Sequence, residues 1–157
     1  MPEYETGAAA RPAELRDGAV LAFDVGLERV GVAVGELGLG IAHPLETIEA
    51  ADVRRRFDRI AVLVEQWRPA LLVVGLPVRA AGGEHSFEPV VRRFVRRLEG
   101  RFGLPVALVD ETLSSREAER QLAAQGVNTR RQRAAVDRAA AREILLTWFE
   151  TRARAAA

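Results

Sequence analysis

Apolar residues recur along the chain in two periods, and their order predicts strands alternating with helices. Continuous apolar runs begin at Val20, Leu71 and Val106, which is typical of strands covered on both faces of a sheet. Valines that alternate with smaller residues then predict a hairpin partner for the first strand. Pro44 cannot donate to a strand ladder, so its strand belongs at a sheet edge or a bulge. The predicted strands are residues 20–24, 30–34, 41–48, 71–74 and 106–109.

Helical spacing and capping residues predict four helices between and after these strands. Asp52 is a suitable N-cap for the first helix, and Pro69 ends it. The second helix starts at Ser86 and stops at Gly103. Two capping boxes, Ser114 with Glu117 and Thr129 with Gln132, predict helices that end at Gly126 and near Thr151. The last helix should turn Val136, Ala140, Ile144 and Trp148 towards the core.

This order of elements predicts an α/β domain with a mixed five-stranded sheet and helices on both faces. The strands that start at Val20, Leu71 and Val106 should be parallel and joined by right-handed crossovers. Residues 1–17 have no periodicity and are expected to be a flexible N-terminal arm. Residues 18–151 form the predicted domain, and residues 152–157 are expected to fray.

Acidic residues stand where two of the parallel strands end. Asp24 closes the first strand and Asp110-Glu111 the last, and ligand sites in such sheets lie beyond the carboxyl ends of the strands. Asp137 lies on the final helix beside alanines that allow a close approach to the sheet. Three acids without a matching Lys or His repel one another, and bound Mg²⁺ or Mn²⁺ relieves that repulsion. Two such ions about 3.5–4 Å apart can cleave a phosphodiester. We therefore predict metal-assisted hydrolysis, with Asp24 bridging the ions and Glu111 and Asp137 completing the ligand set.

Each acid also has a structural interpretation. Asp24 could begin a hairpin turn, because Asp is a common turn residue. Adjacent strand residues point to opposite faces, so if Glu111 faces the metal, Asp110 caps or pairs locally. On helical spacing alone, Asp137 is a surface acid between Arg133 and Arg138.

Composition narrows the setting in which this chemistry would operate. The chain has no cysteine, which excludes disulfides and thiolate chemistry. It has no secretory signal and no run near the ~20 apolar residues of a membrane span, so we expect a cytoplasmic protein without a membrane partner. All 23 basic residues are Arg. Residues 1–77 carry eight Arg against twelve acids and residues 78–157 carry fifteen against ten, so the second half could face a polyanion.

Four arginines are candidates for contact with nucleic acid. Arg29 could bind phosphate, although a salt bridge to a nearby acid is an equal alternative. Arg130, Arg131 and Arg133 lie at the start of the helix that leads to Asp137. Such phosphate contacts position a substrate without reading its sequence. The run of arginines from 92 to 97 is interpreted as a solvated helix face, and His43 and His85 as structural or exposed.

Five short motifs occur in the collinear order of a known family between about residues 19 and 150. They are Leu21-Ala22-Phe23-Asp24-Val25-Gly26 with Arg29-Val30-Gly31-Val32-Ala33, Val74-Gly75-Leu76-Pro77, Asp110-Glu111-x-Leu113-Ser114-Ser115, Val136-Asp137-x-x-Ala140, and Ile144-Leu145. Together they resemble the YqgF/RuvX family. The chain departs from its pattern at Glu28 and Thr112, where basic residues are usual, at Gly35-Glu36, where Ser-Asp is frequent, and at Ala81, where an acid is common.

The resemblance implies a ribonuclease H-like fold and a cytoplasmic bacterial nuclease that processes the 5′ end of pre-16S rRNA, in association with the ribosome. Its acidic site maps onto Asp24, Glu111 and Asp137. Other functions stay open: a Holliday-junction resolvase acting on DNA, or a noncatalytic nucleic-acid-binding module. An actin-like ATPase fits less well, because such proteins carry a second half with its own phosphate loop. We expect a monomer or weak homodimer.

Overall fold

A five-stranded mixed sheet forms the centre of the fold, which a computed structural model describes for residues 11–77, 87–111, 126 and 129–156. β1 pairs antiparallel with β2 and β2 with β3, whereas β1 pairs parallel with β4 and β4 with β5. The predicted mixed sheet and the parallel relation of its three most apolar strands are confirmed. In the order β3-β2-β1-β4-β5, the strands are β1 Ala19–Val25, β2 Val30–Glu36, β3 Ile41–Ile48, β4 Leu71–Pro77 and β5 Val106–Glu111.

The proline in β3 lies at both of the places where a sheet tolerates one. β3 is an edge strand, and the register with β2 shifts between Val32, which pairs with Glu46, and Ala33, which pairs with Pro44. Leu45 is therefore the extra residue of a bulge. The edge and bulge predictions for Pro44 are both confirmed.

Two helices cover one face of the sheet: α1 (Val53–Trp67) and α2 (Glu88–Phe102). The Asp52 carboxylate caps α1 by accepting from the Arg54 amide at 2.8 Å, and Gly103 ends α2 with a φ of 64°. Ser86, predicted to start α2, lies outside the described residues. Val53 and Trp67, predicted to face the core, are exposed because the buried side of α1 runs through Phe57, Ile60 and Leu63.

A single long helix, α3 (Arg130–Ala156), covers the other face. Its predicted capping box is present, with the Thr129 amide donating to Gln132 Oε1 and the Gln132 amide to Thr129 Oγ1, both at 3.1 Å. Val136 and Ala140, predicted to face the core, are only partly buried. The buried stripe instead follows alternating steps of three and four residues, and it includes Ala134, Ala141, Ile144, Leu145 and Trp148.

Both ends of the domain are more regular than the sequence indicated. α3 ends at Ala156 rather than near Thr151, so most of the segment predicted to fray is helical. The Arg152 guanidinium packs 5.2 Å from the centre of the Trp148 ring, which ties this last part of the helix to the core. Near the other end, Leu15 packs on the α3-side core after a short 3₁₀ turn at Pro12–Glu14, so the predicted arm is structured there.

Two further predictions concern the parts of the chain between and around these elements. The helix predicted between Ser114 and Gly126 falls almost wholly on residues outside the described ranges. Among the helices that are described, none is both long enough and apolar enough to cross a membrane.

Candidate active site at the carboxyl edge of the sheet

Strand alternation places Asp24 and Glu111 on the same face of the sheet, under α3. Val20 and Ala22 of β1, and Val109 of β5, belong to the core on this face, and the two acids continue the same alternation. Asp24 is almost completely buried, at 4% exposure. Asp110 points to the opposite face and is exposed. The sequence left the choice between Asp110 and Glu111 conditional, and strand parity decides it for Glu111.

A glycine on β2 brings the backbone of α3 against the sheet at Asp137. Gly31 pairs across the strands with Asp24. A Cβ at Gly31 would overlap the Asp137 carbonyl group and lie 3.2 Å from the Arg138 nitrogen. Asp137 therefore lies in the stripe of α3 that faces the sheet, three residues after the buried Ala134 and four before Ala141. The interpretation of Asp137 as a surface acid is wrong.

A second glycine, on β4, leaves space for Glu111 on the other side of Asp24. A Cβ at Gly75 would lie 2.6 Å from Glu111 Oε2, so the Glu111 carboxylate extends over β4 towards β1. The parallel register pairs Phe23 with Val74, which makes Gly75 the neighbour of Asp24. With strands about 4.8 Å apart, the Glu111 carboxylate lies roughly one strand spacing from β1. Glycine in a strand interior is a sequence signal for such close approach, and it was not used for Gly31 or Gly75.

Arg29 forms an ion pair with Asp137 over the site. Its Nε donates to Asp137 Oδ2 at 2.6 Å, with both side chains largely shielded from solvent, and its Nη1 donates to Glu28 at 3.4 Å. The hydrogen bond to Asp137 raises the pKa of Arg29 above its usual value, with burial acting in the opposite direction. The structure therefore shows the salt-bridge alternative for Arg29.

Arg56 is a buried cation that the sequence analysis did not identify. Its Nε donates to the Ala50 carbonyl at 2.6 Å, and its Nη2 donates to the carbonyls of Gly26 and Leu27, each at 2.7 Å. Burial lowers the pKa of Arg56. These bonds brace the turn between Asp24 and Arg29 against the start of α1. Its spacing from Ile60, four residues along the buried side of the helix, was the available signal.

The three arginines at the start of α3 differ in their relation to Asp137. Arg133 is one helical turn before Asp137 and Arg130 two turns, so both lie on its side of the helix. Arg130 pairs with Glu49 at 2.7 Å, and that hydrogen bond raises the pKa of Arg130. Arg131, six residues before Asp137, is rotated by about 120° around the axis. Arg133 is therefore the best placed of the three.

The donor atoms at this edge fit a hard divalent cation. Asp24, Glu111 and Asp137 supply only carboxylate oxygens, which are the ligands that Mg²⁺ and Mn²⁺ prefer. In the part of the chain that the structure describes, no three acidic or histidine side chains are gathered into a complete metal site. The reason on the Asp137 side is its ion pair with Arg29, which a cation bound to that carboxylate would have to displace.

Solved structures with the same arrangement of elements define the class of fold. RuvC of Thermus thermophilus, solved in complex with a Holliday junction substrate, superimposes with a TM-score of 0.57 at 19% identity, over 87% of this chain and 96% of RuvC. A fowlpox virus resolvase solved with Holliday junction DNA superimposes with a TM-score of 0.51 at 11% identity, over 85% of this chain and 97% of the resolvase. The chain therefore has the ribonuclease H-like fold of these resolvases.

Sequence comparison identifies the family within that class. Residues 18–151 match the RuvX family, described as Holliday junction resolvase. A "Putative pre-16S rRNA nuclease" of Methylobacillus flagellatus is 52% identical over 88% of this chain and 95% of its own length. Its counterpart in Chromobacterium violaceum is 53% identical over 83% of this chain and 96% of its own length. The protein belongs to the RuvX family, and the predicted enzyme class, a hydrolase of phosphodiester bonds, is confirmed.

Proposed function

We propose that this protein is a metal-dependent nuclease that cleaves structured RNA, and that its reaction is 5′-end processing of pre-16S rRNA in the cytoplasm. The observation that carries the proposal is the convergence of Asp24, Glu111 and Asp137 at one edge and on one face of the sheet. No cationic side chain other than Arg29 is bonded to them in the contacts of the described residues given above. An expected monomer or weak homodimer stays a prediction.

The chain's own residues hold and align the reacting groups in this proposal. Asp24, rigid in a central strand, Glu111 and Asp137 would hold one or two Mg²⁺ or Mn²⁺ ions. When bound, such ions supply an activated water and stabilise the leaving oxygen. Arg29 lies beside Asp137 and can turn its guanidinium towards a substrate phosphate, and Arg133 extends the basic surface along α3.

RNA is the substrate favoured by the names of the most similar relatives, which share about half of their residues with this chain. A second candidate substrate is a four-way DNA junction, favoured by the description of the family and by the structural likeness to RuvC. Both substrates present phosphodiesters to the same acidic edge, so the site itself is compatible with either.

The central test compares Asp24→Asn with Asp110→Asn. Asp24→Asn should reduce cleavage of precursor 16S rRNA in Mg²⁺ or Mn²⁺ by at least about 10³-fold, equivalent to about 4 kcal/mol of barrier. Asp110→Asn removes the same charge one strand position from Glu111, but on the opposite face, so it should leave cleavage close to wild type. Folding is checked by circular dichroism. Full activity of Asp24→Asn would refute the site.

Two measurements separate the remaining functions. Equal concentrations of enzyme on precursor rRNA and on a four-way DNA junction compare the two substrates directly, and preferential cleavage of the junction would overturn the RNA assignment. Calorimetric titration with Mn²⁺ should show weaker binding to Asp24→Asn than to Asp110→Asn. A noncatalytic module would instead cleave neither substrate and bind RNA unchanged when all three acids become amides.

A further inference from the structure

An open groove lies between α1 and α2, on the face of the sheet opposite α3. Its volume is about 450 Å³, within the range of sites that take a small ligand or a few residues of a polymer. Its floor is apolar where Phe57 and Gly100 approach each other. The residues that line it, named together below as the α1–α2 groove, are Val53, Arg54, Phe57, Arg97, Gly100 and Arg101.

Half of the residues that line the α1–α2 groove are arginines, and their charges are poorly compensated. Within the described ranges, the Arg54 and Arg97 side chains make no hydrogen bond or ion pair with a carboxylate. Arg101 has one long contact, at 3.6 Å, with Asp58, and both side chains are well exposed. Three guanidinium groups around one concavity repel one another, and an anion between them removes that repulsion. Charge complementarity therefore indicates a ligand that carries phosphates.

The α1–α2 groove begins next to the turn that carries the active-site residues. Arg56, which binds the carbonyls of Gly26 and Leu27, lies in the same first turns of α1 as Arg54 and Phe57. One helical turn is about 5.4 Å along the axis. A nucleic-acid strand that passes Asp24 therefore needs only a few nucleotides to reach Arg54.

We propose that the α1–α2 groove binds the sugar-phosphate backbone of the RNA substrate at a position outside the cleavage point. This inference rests on the proposed nuclease function for the identity of the polymer. Arg54 and Arg97 contact phosphates, and Arg101 adds charge at the far end. Contacts of this kind set the register of the RNA on the enzyme without reading its bases.

The test measures RNA binding in the Asp24→Asn background, where no cleavage disturbs the equilibrium. The double variant Arg54→Gln/Arg97→Gln is compared with Arg93→Gln/Arg96→Gln, which removes the same charge from exposed positions that do not line the groove. Binding of labelled precursor rRNA is followed by fluorescence anisotropy at several salt concentrations. Thermal unfolding of each variant confirms that these exposed substitutions leave the fold intact.

The groove variant should bind more weakly, with a salt slope lower by about 1.4, because two phosphate contacts of about 0.7 each are lost on a flexible strand. The control should keep the wild-type slope. Arg54→Lys/Arg97→Lys should recover most of the binding, since Lys keeps the charge. Equal losses in groove variant and control, or no loss in either, would overturn the proposal.

The design also distinguishes this proposal from the nuclease function. If wild-type protein cleaves rRNA and the groove variant binds it normally, the groove proposal is wrong and the nuclease function stands. If the groove variant loses RNA binding while wild-type protein cleaves nothing, the groove proposal stands and the nuclease function is wrong. Selective loss of DNA-junction binding, with RNA binding unchanged, overturns the RNA assignment of the groove.

Discussion

Gly31 offers the sharpest test of how the fold assembles the site. In Gly31→Ala, the new methyl group would occupy the space of the Asp137 carbonyl and approach the Arg138 nitrogen to 3.2 Å. The obstructing atoms belong to the backbone of a 27-residue helix, so no side-chain rotation can relieve the overlap. We expect α3 to move away from β2 and to carry the Asp137 carboxylate with it.

The magnitude follows from two opposing terms. Overpacking of a close-packed core costs about 1–3 kcal/mol, and replacing the flexible glycine by alanine offsets about 0.5–1 kcal/mol of that cost. The net loss of about 1–2 kcal/mol should lower the thermal midpoint by about 2–8 °C for a chain of this size. Because a displacement of about 1 Å at a reacting group can cost about 10²-fold in rate, the loss of activity should exceed the loss of stability.

The assay is single-turnover cleavage of precursor rRNA, measured well below the unfolding transition so that both proteins are folded. Gly38→Ala is the matched control, because its added Cβ would lie no closer than 3.5 Å to Glu36 and 3.7 Å to Arg16, which is ordinary contact. The control should keep the wild-type midpoint and rate. If Gly31→Ala also keeps both, the close approach of α3 to β2 does not position Asp137, and the reasoning fails.

Three further predictions concern arginines. Arg29→Gln should destabilise the protein by about 1 kcal/mol in urea unfolding, with Arg29→Lys intermediate, because the 2.6 Å ion pair with Asp137 is lost; an unchanged midpoint would show that the pair contributes nothing. Arg56→Met should cost about 2–4 kcal/mol, because three buried carbonyls lose a charged donor, and a neutral result would contradict the bracing role. Arg133→Gln should lower the salt slope of RNA binding by about 1, measured by anisotropy, and Arg131→Gln should change it less; the reverse order would contradict the helix geometry.

Local signals account for the elements that the sequence predicted correctly. The capping box at Thr129 and the N-cap at Asp52 each depend on atoms three or fewer residues apart, so a short stretch of sequence determines them. The same holds for the edge position of Pro44, which follows from its missing amide hydrogen. The end of α3 was misjudged because the packing of Arg152 on Trp148 continues the helix beyond its apolar stripe.

The orientation of the long helix shows where periodicity alone is insufficient. Steps of four residues from Val136 predicted the buried stripe, but each such step advances about 40° around a helix with 3.6 residues per turn. The stripe that packs on the sheet alternates steps of three and four, which places Asp137 within it. An acid at that position is recognised only when the sheet beneath it is known.

By itself, the sequence determined the order of the elements, the parallel strands and the three acids, because apolar period, capping residues and strand ends are local properties of the chain. Only the tertiary structure decided that Glu111 rather than Asp110 shares a face with Asp24, and that Arg29 bonds to Asp137 across 108 residues of sequence. It also decided that glycines on β2 and β4 make room beside Asp24 for Asp137 and Glu111. These are contacts between distant segments, and their geometry depends on how α3 lies on the sheet, which no local pattern contains.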